Sequence, residues 1–527
     1  MIKYTASHHP ICKYIYIYIY ILCIFLCALS LFIRQPNYEE KTYRNEDAVY
    51  HVLLTMKAYD ETPVSEHHFL PLVSLGGEDN KDISWGATVA DEKGNYYYTS
   101  FSSAGFIAPY VFTKLFHLPI SESSLYIFNS FLFIGSLLVL AGLMIRLFNG
   151  KLPTPHICLF TAILYLFTPE IMHSQGVIYW HQSLFQLMFF IQLYMYQCFR
   201  ESGSKKTFAL FAILCVINPY VEWSGFVSNI GFFVAELLFS IETKDSKRYI
   251  PLSRVVSASI IVVATFVAAG LFSWHFLSVI PADDFWKALV NRFFSRSIGT
   301  SRFSSLIKGY CTSFGMSLLI ALIGIIFVIT KDKQTRSKAY SVLKPTLPVL
   351  FVSIFVMLEN VLMLGHAISY SFDRMKLIVP LTILLLTIVC TFEKKRTVSI
   401  AISIASLILI VCNSTFYTNS RSLYSQNAEY LASNREFAKE VLSEYHRKDT
   451  LFTQWGCATR GYTNLLWDGG VYEGVSIEEA KPIAERRGKR YIASLDSINH
   501  WWNMYEYTEC EIFDMLTGES TVVYSKK

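Results

Sequence analysis

Eleven apolar stretches, near 14–33, 124–145, 157–175, 178–199, 207–221, 225–241, 255–280, 312–330, 346–364, 377–392 and 397–414, run through a chain of 527 residues. A helix needs about 20 such residues to cross a bilayer. Inside hydrocarbon every backbone N–H and C=O must be satisfied within the segment, so these stretches have to be helices. With 53% hydrophobic and only 17% charged residues, there is too little charge to clothe a soluble protein of this length. The expected fold is a polytopic α-helical membrane protein of about 11 spans. The run Asn218-Pro219-Tyr220-Val221-Glu222 shortens and interrupts the fifth and sixth.

Lys and Arg set the orientation. Arg146 and Lys151, then Arg200, Lys205 and Lys206, then Lys244, Lys247, Arg248 and Arg254 occupy alternate loops. Lys331, Lys333, Arg336, Lys338 and Lys344, then Lys394, Lys395 and Arg396, continue the series. The N-terminus is therefore expected in the cytoplasm, with segments 34–123 and 415–527 outside. The first run, Tyr14 to Ile33, is long for a signal peptide and lacks an A-x-A-like site, so it reads as an uncleaved anchor. The net charge of +5 comes mostly from the basic loops and gives no reason to expect nucleic acid. Most of the 11 Cys lie in apolar spans, and only Cys457 and Cys510 share the terminal segment, where they could pair.

The first outside loop begins Arg44-Asn45-Glu46-Asp47-Ala48-Val49-Tyr50-His51. Val49, Val52, Leu53 and Met56 have helical spacing, Asn45 is placed to cap that helix, and Glu46 and Asp47 fall in its first turn. Acidic residues at a helix start are ordinary, but these two adjoin a membrane surface where a lipid-linked substrate would arrive. Later, 96–116, too polar at its start to be a span, reads as an interfacial amphipathic helix closing on Lys114-Leu115-Phe116.

This order of span, charged pair, helix with Met56, Pro63 and interfacial helix resembles the first external loop of the ArnT/PMT-like glycosyltransferases, which have the GT-C fold. That group includes lipid A aminoarabinose transferases and protein O-mannosyltransferases. The chain departs from the group's pattern in the reversed order Glu46-Asp47 and in Ser102-Ser103-Ala104, where members often carry Lys-Pro-Pro. The resemblance implies sugar transfer from a polyprenyl-phosphate donor to a lipid-linked, glycan or protein acceptor, with inversion at the anomeric carbon. It also implies a role in cell-envelope polysaccharide and a bacterial plasma membrane, or the endoplasmic reticulum in a eukaryote. The phosphate leaving group needs little acid help, whereas the acceptor needs a base, and Asp47 with Glu46 as partner is expected to supply it. The same pair could hold a divalent metal, although no further ligand cluster supports one.

Other candidates lie in later outside loops. His181 and Gln182 stand where relatives often have an Asp, and Glu222 sits in the interrupted hairpin. Loop 281–311 interleaves Arg292 and Arg296 with Phe285, Trp286, Leu289, Phe293 and Phe294. That pattern suits a helix lying on the membrane, and its cations suit a lipid phosphate. His366, Tyr370, Arg374 and Lys376 concentrate donors in one tight turn, and the resemblance implies that Arg374 and Lys376 grip the carrier phosphate. As plain helix-end anchors they would need no such role.

Two units are expected: a transmembrane region, 1–414, and a soluble α/β domain, 415–527. The latter has a helix near 426–446 and strands near 450–455, 491–494 and 521–524, and its Trp455, Trp467, Trp501 and Trp502 could line a sugar-binding surface. An O-antigen-type polymerase or ligase would carry a large central outside loop, and a transporter paired broken helices in an internal repeat. The chain shows neither.

Overall fold

The computed structural model describes residues 10–39, 45–76, 82–83, 87–244, 247–297, 302–392, 394–419 and 482, with strands at 450–453, 471–473, 491–496, 510–514 and 520–524. Helix α1 (Pro10–Glu39) leads into the first loop, which holds α2 (Glu46–Glu61), α3 (Val64–His67), strands β1 (Thr88–Ala90) and β2 (Tyr96–Tyr98), and α4 (Ala104–Leu115). Then come α5 (Glu122–Phe148), α6 (Thr154–Leu166), α7 (Pro169–Ser174), α8 (His181–Ser202), α9 (Lys205–Val221) and α10 (Ser224–Leu238). A short hairpin, β3 (Glu242–Lys244) and β4 (Lys247–Tyr249), precedes α11 (Leu252–Leu277), α12 (Ala282–Arg296), α13 (Phe303–Phe314) and α14 (Met316–Thr330). The rest is α15 (Lys333–Leu343), α16 (Leu347–Phe355), α17 (Leu358–Leu362), α18 (Leu364–Ser369), a 3-10 helix (Ser371–Leu377), α19 (Ile378–Cys390), α20 (Lys395–Ile408) and α21 (Ser414–Asn419).

Five helical stretches are long and apolar enough to cross a membrane: Ile21–Glu39, Glu122–Phe148, Leu252–Leu277, Lys333–Leu362 and Arg396–Asn419. The pair α13–α14, bent by 99°, makes a sixth if taken as one broken span. The chain is thus a multi-pass membrane protein. All eleven apolar stretches fall on helices, yet length and apolarity support only these five or six. The shortfall has physical causes. Helix α6 has 13 residues and α10 has 15. Helix α8 is long enough, but buries Gln182, Gln186, Gln192 and Gln197 against its neighbours.

Helices α8, α9, α10 and α11 pack as a unit, with α5 on the other side of α8. The ends that adjoin the first loop form one face, here the loop end. The opposite basic end gathers Arg146, Arg200, Arg254 and Lys338. There Lys338 Nζ donates to the carbonyls of Thr391 and Phe392 at 3.3 and 3.1 Å, satisfying groups at the C-terminus of α19 that the helix leaves open.

Helix α2 starts where the sequence predicts, and Val49, Val52, Leu53 and Met56 are all buried. Asn45 takes the capping position without the capping bond. Its backbone is left-handed at φ 64°, and its side chain bonds no N–H of the first turn. Of the helix expected over 96–116, only Ala104–Leu115 is helical, with Val111 and Leu115 exposed, whereas Tyr96–Tyr98 pairs as β2 with β1.

In the terminal region the strands β5 (Thr450–Thr453), β6 (Val471–Glu473), β7 (Tyr491–Asp496), β8 (Cys510–Asp514) and β9 (Ser520–Tyr524) form one sheet of order β6-β5-β7-β8-β9. Strands β6, β5 and β7 run parallel, and β8 and β9 add antiparallel. The expected helix at 426–446, Cys457 and the four tryptophans lie outside the described residues.

Candidate active site

A break between α9 and α10 begins the site. Pro219 lies within α9, the helix ends at Val221, and Glu222 N–H closes onto Asn218 O at 3.2 Å. Gly225 lets the backbone double back, since a Cβ there would meet Pro219 N at 2.3 Å. The fold of the break is held from below by amides. Asn218 Nδ2 donates to Gln192 Oε1 at 2.5 Å, and Gln192 Nε2 donates to Asn229 Oδ1 at 3.1 Å. It is held from the side by the first loop. His275 Nε2–H donates to His68 O at 2.7 Å, so its Nδ1 accepts from the Tyr220 hydroxyl.

Glu222 is thereby fixed just ahead of α10, its Oε2 accepting from Ser224 N at 2.8 Å. The Ser224 hydroxyl donates to Glu359 Oε2, which also receives the Lys376 ammonium. Burial, with Glu359 beside it, pushes the Glu222 carboxyl up to about 8. Burial opposes the charge of Lys376, but Glu359, Glu222 and Asp373 outweigh it and hold its pKa above the usual range.

The segment 358–377, three short helical turns in succession, brings Glu359, His366, Asp373, Arg374 and Lys376 together in a space where all are buried. His366 Nδ1 lies 2.5 Å from Asp373 Oδ2. Gln182 Nε2, at the start of α8, donates to Asp373 Oδ1 at 2.7 Å. Burial depresses the His366 pKa more than Asp373 raises it, so near neutral pH the ring is uncharged. Asp373 is also lowered, because His366, Lys376 and Arg296 together outweigh its burial. With His366 neutral, Nδ1–H is the donor to Asp373 and Nε2 is left as an acceptor. Arg374 donates to Ser313 Oγ at 2.8 Å and Ala367 O at 2.6 Å, and lies 3.9 Å from Glu170, which Ser313 also bonds.

Arg292 and Arg296, one turn apart on α12, converge on the hydroxyl of Tyr98 from β2, at 3.4 and 2.9 Å. Neither has a carboxylate partner among the described residues. Burial alone would raise the Tyr98 pKa, but the two guanidinium groups bring it below its usual value. Arg296 also stands 5.2 Å from the centre of the Phe101 ring, and the His366 ring is 6.4 Å from that same centre.

Of the residues that the sequence singles out, Glu222, His366 and Lys376 meet in one electrostatic cluster, with Arg296 at its edge. Tyr370 packs against His366, ring centres 4.6 Å apart and tilted by 34°. Arg374 and Lys376 each lie on a carboxylate, Glu170 or Glu359, and so are not held in readiness for a phosphate in the way that Arg292 and Arg296 are. His181 sits against Phe101, Phe106 and Trp180, its Nδ1 3.2 Å from Val221 O. Glu46 and Asp47 open α2, but their side chains lie outside the described residues. The sequence pattern does not single out Glu359, Asp373 or Tyr98. Gln182, singled out beside His181, holds the carboxylate of residue 373.

No family model matches the chain, and no curated protein matches it by sequence. Solved structures do match by fold. The archaeal oligosaccharyltransferase AglB from Archaeoglobus fulgidus, in complex with an inhibitory peptide and a dolichol-phosphate, superposes with a TM-score of 0.52 at 10% identity, over 90% of this chain and 69% of that one. The apo form of the Archaeoglobus fulgidus oligosaccharyltransferase gives 0.53 at 10% identity, over 91% and 69%. Its complex with Zn and sulfate gives 0.50 at 10%, over 90% and 67%. The chain shares the fold of these oligosaccharyltransferases, in agreement with the GT-C resemblance of its first loop.

Proposed function

We propose that this protein is an integral-membrane glycosyltransferase, moving a sugar from a polyprenyl-phosphate-linked donor to a glycan, lipid or protein acceptor at the loop end, on the outer side of the membrane. The observation that carries the reading is the pair Arg292 and Arg296, two guanidinium groups with no carboxylate partner among the described residues, beside a buried cluster that can exchange protons. Guanidinium forks match phosphate oxygens, and water exclusion strengthens the match. A neighbour in fold binds a dolichol-phosphate and an inhibitory peptide, which supports a lipid phosphate as the leaving group here.

In the reaction, Arg292 and Arg296 meet the charge that grows on the carrier phosphate as its bond to the anomeric carbon breaks. An acceptor hydroxyl or amine attacks that carbon from the opposite side and gives up a proton. The first-loop carboxylates are the sequence's nominees for the proton, Asp47 first with Glu46 as partner. They are also its nominees for a divalent metal. Among the described residues no three His, Cys, Asp or Glu side chains converge on a metal site.

The test is sugar transfer by the purified protein in lipid nanodiscs, given labelled polyprenyl-phosphate and polyprenyl-diphosphate sugars with membrane extract. The wild type is expected to transfer. Arg292→Met with Arg296→Met should weaken carrier binding by about 10- to 100-fold, as lost hydrogen bonds to a charged group imply. Failure of the wild type across a broad donor panel would sink the reading.

A further inference from the structure

The buried carboxylate–imidazole–amide arrangement at the end of the 358–377 segment has a form that phosphate binding does not need. Asp373 is gripped at both oxygens, by Gln182 at 2.7 Å and by His366 at 2.5 Å. Two grips hold the carboxylate in place and select the tautomer with its proton on Nδ1. Nε2 makes no hydrogen bond with any described residue, and it is not among the buried atoms sealed from solvent. Although the residue as a whole is buried, Nε2 is thus not sealed from solvent and has no hydrogen-bond partner among the described residues. The ring is held by packing as well, against Tyr370 at 4.6 Å and Phe372 at 6.2 Å.

We propose that His366 Nε2 is the general base of this site, with Asp373 and Gln182 as its positioning residues. The proposal rests on the glycosyltransferase reading and gives His366 the role that the sequence assigns to Asp47. The acceptor's hydroxyl or amine proton passes to His366 Nε2 as the acceptor atom bonds to the anomeric carbon. The bond from that carbon to the phosphate oxygen breaks, and its electron pair stays with the carrier phosphate beside Arg292 and Arg296. Asp373, already ionised, stabilises the imidazolium that forms, and the proton then leaves to solvent or to the released phosphate. A carboxylate base would have to be drawn up in pKa to serve this step, whereas an imidazole is suited to it near neutral pH.

The charged groups that act on His366 are Asp373, which raises its pKa, Arg296, which lowers it, and Glu359, which raises it; burial outweighs them all and lowers the net value. A base must be unprotonated to act, so the rate should climb with pH through a pKa below 6.5 and then level off. His366→Gln should lose about 10²–10⁴ in kcat, bind carrier as before and show no such limb. Asp373→Asn should keep the ring but lower kcat and move the limb to lower pH. Near wild-type turnover by His366→Gln, or an unchanged acid limb, would overturn the proposal. If the wild type transfers nothing, the glycosyltransferase reading fails, and the dyad is judged by carbethoxylation with diethyl pyrocarbonate, mapped by mass spectrometry. Modification of His366 that Asp373→Asn slows supports the free Nε2. Modification of exposed His68 and His117 without His366 would overturn it.

Discussion

Two buried clusters of ionisable groups stand at opposite ends of the same four helices, and they differ in how completely they are satisfied. At the basic end Glu236 is fully buried. Its Oε2 takes Arg200 at 3.0 Å and Tyr196 at 3.2 Å, and its Oε1 takes Arg254 at 2.9 Å. Arg200 goes on to donate to Phe239 O at 2.8 Å, so the network closes on itself. At the loop end His366 has a free acceptor, Arg292 and Arg296 share one phenol, and Glu222 retains its proton near neutral pH. Charge buried in a membrane protein is thus not a sufficient mark of function. The closed cluster ties α8, α10 and α11 together. The open one has capacity left for a ligand and a proton.

That contrast can be broken in a definite order. Glu236→Ala leaves two guanidinium groups without their carboxylate and should cost about 3–5 kcal/mol of stability, with turnover per folded molecule unchanged. Thermal melting in detergent, paired with transfer assays, reads both. A variant that folds normally but transfers nothing would put function at the wrong end. Next, Gly105→Ala would push a Cβ to 2.2 Å from the His181 ring, so α4 or the ring has to move. The expected loss is about 1–3 kcal/mol, as overpacking gives, and melting again measures it.

The smallest effect sharpens the contrast by pH. Glu222 has a folded pKa of about 8 against an ordinary 4.5, so as pH rises between those values the unfolded chain gives up its proton first. The stability that the neutral carboxyl contributes is complete below about pH 4.5 and is lost as pH rises through about 8. Glu222→Gln cannot ionise, so its melting temperature should gain on the wild type across that window and run parallel above it. No change in the difference between pH 5 and 9 would mean that Glu222 is ionised in the folded protein.

Much of this was legible in the sequence. The spacing of Val49, Val52, Leu53 and Met56 gives α2, and Asn218-Pro219 with Glu222 gives the broken hairpin, because proline and a buried acid leave local marks. The strands at 450–453, 491–496 and 520–524 fall where alternation places them. Of the eleven expected crossings, length and apolarity support five or six, since α8 turns its glutamines inward and α6 is short. Partnerships were not legible either. Gln182 and Asp373 are 191 residues apart, and Tyr98 and Arg296 are 198 apart, so no local pattern announces either contact. That Arg374 and Lys376 are occupied by Glu170 and Glu359, whereas Arg292 and Arg296 are not, is a fact of three-dimensional pairing alone.

The distances along the chain also set a schedule. Tyr98, Gln182, Glu222 and Arg296 are in place early in synthesis, but His366, Asp373 and Lys376 emerge from the ribosome only after most helices have entered the bilayer. Until then the pocket has its anion hooks and no Asp373 for Gln182 to hold. On the proposed function, a nascent or truncated chain could at most hold a lipid carrier, and competence would arrive with one late turn of helix.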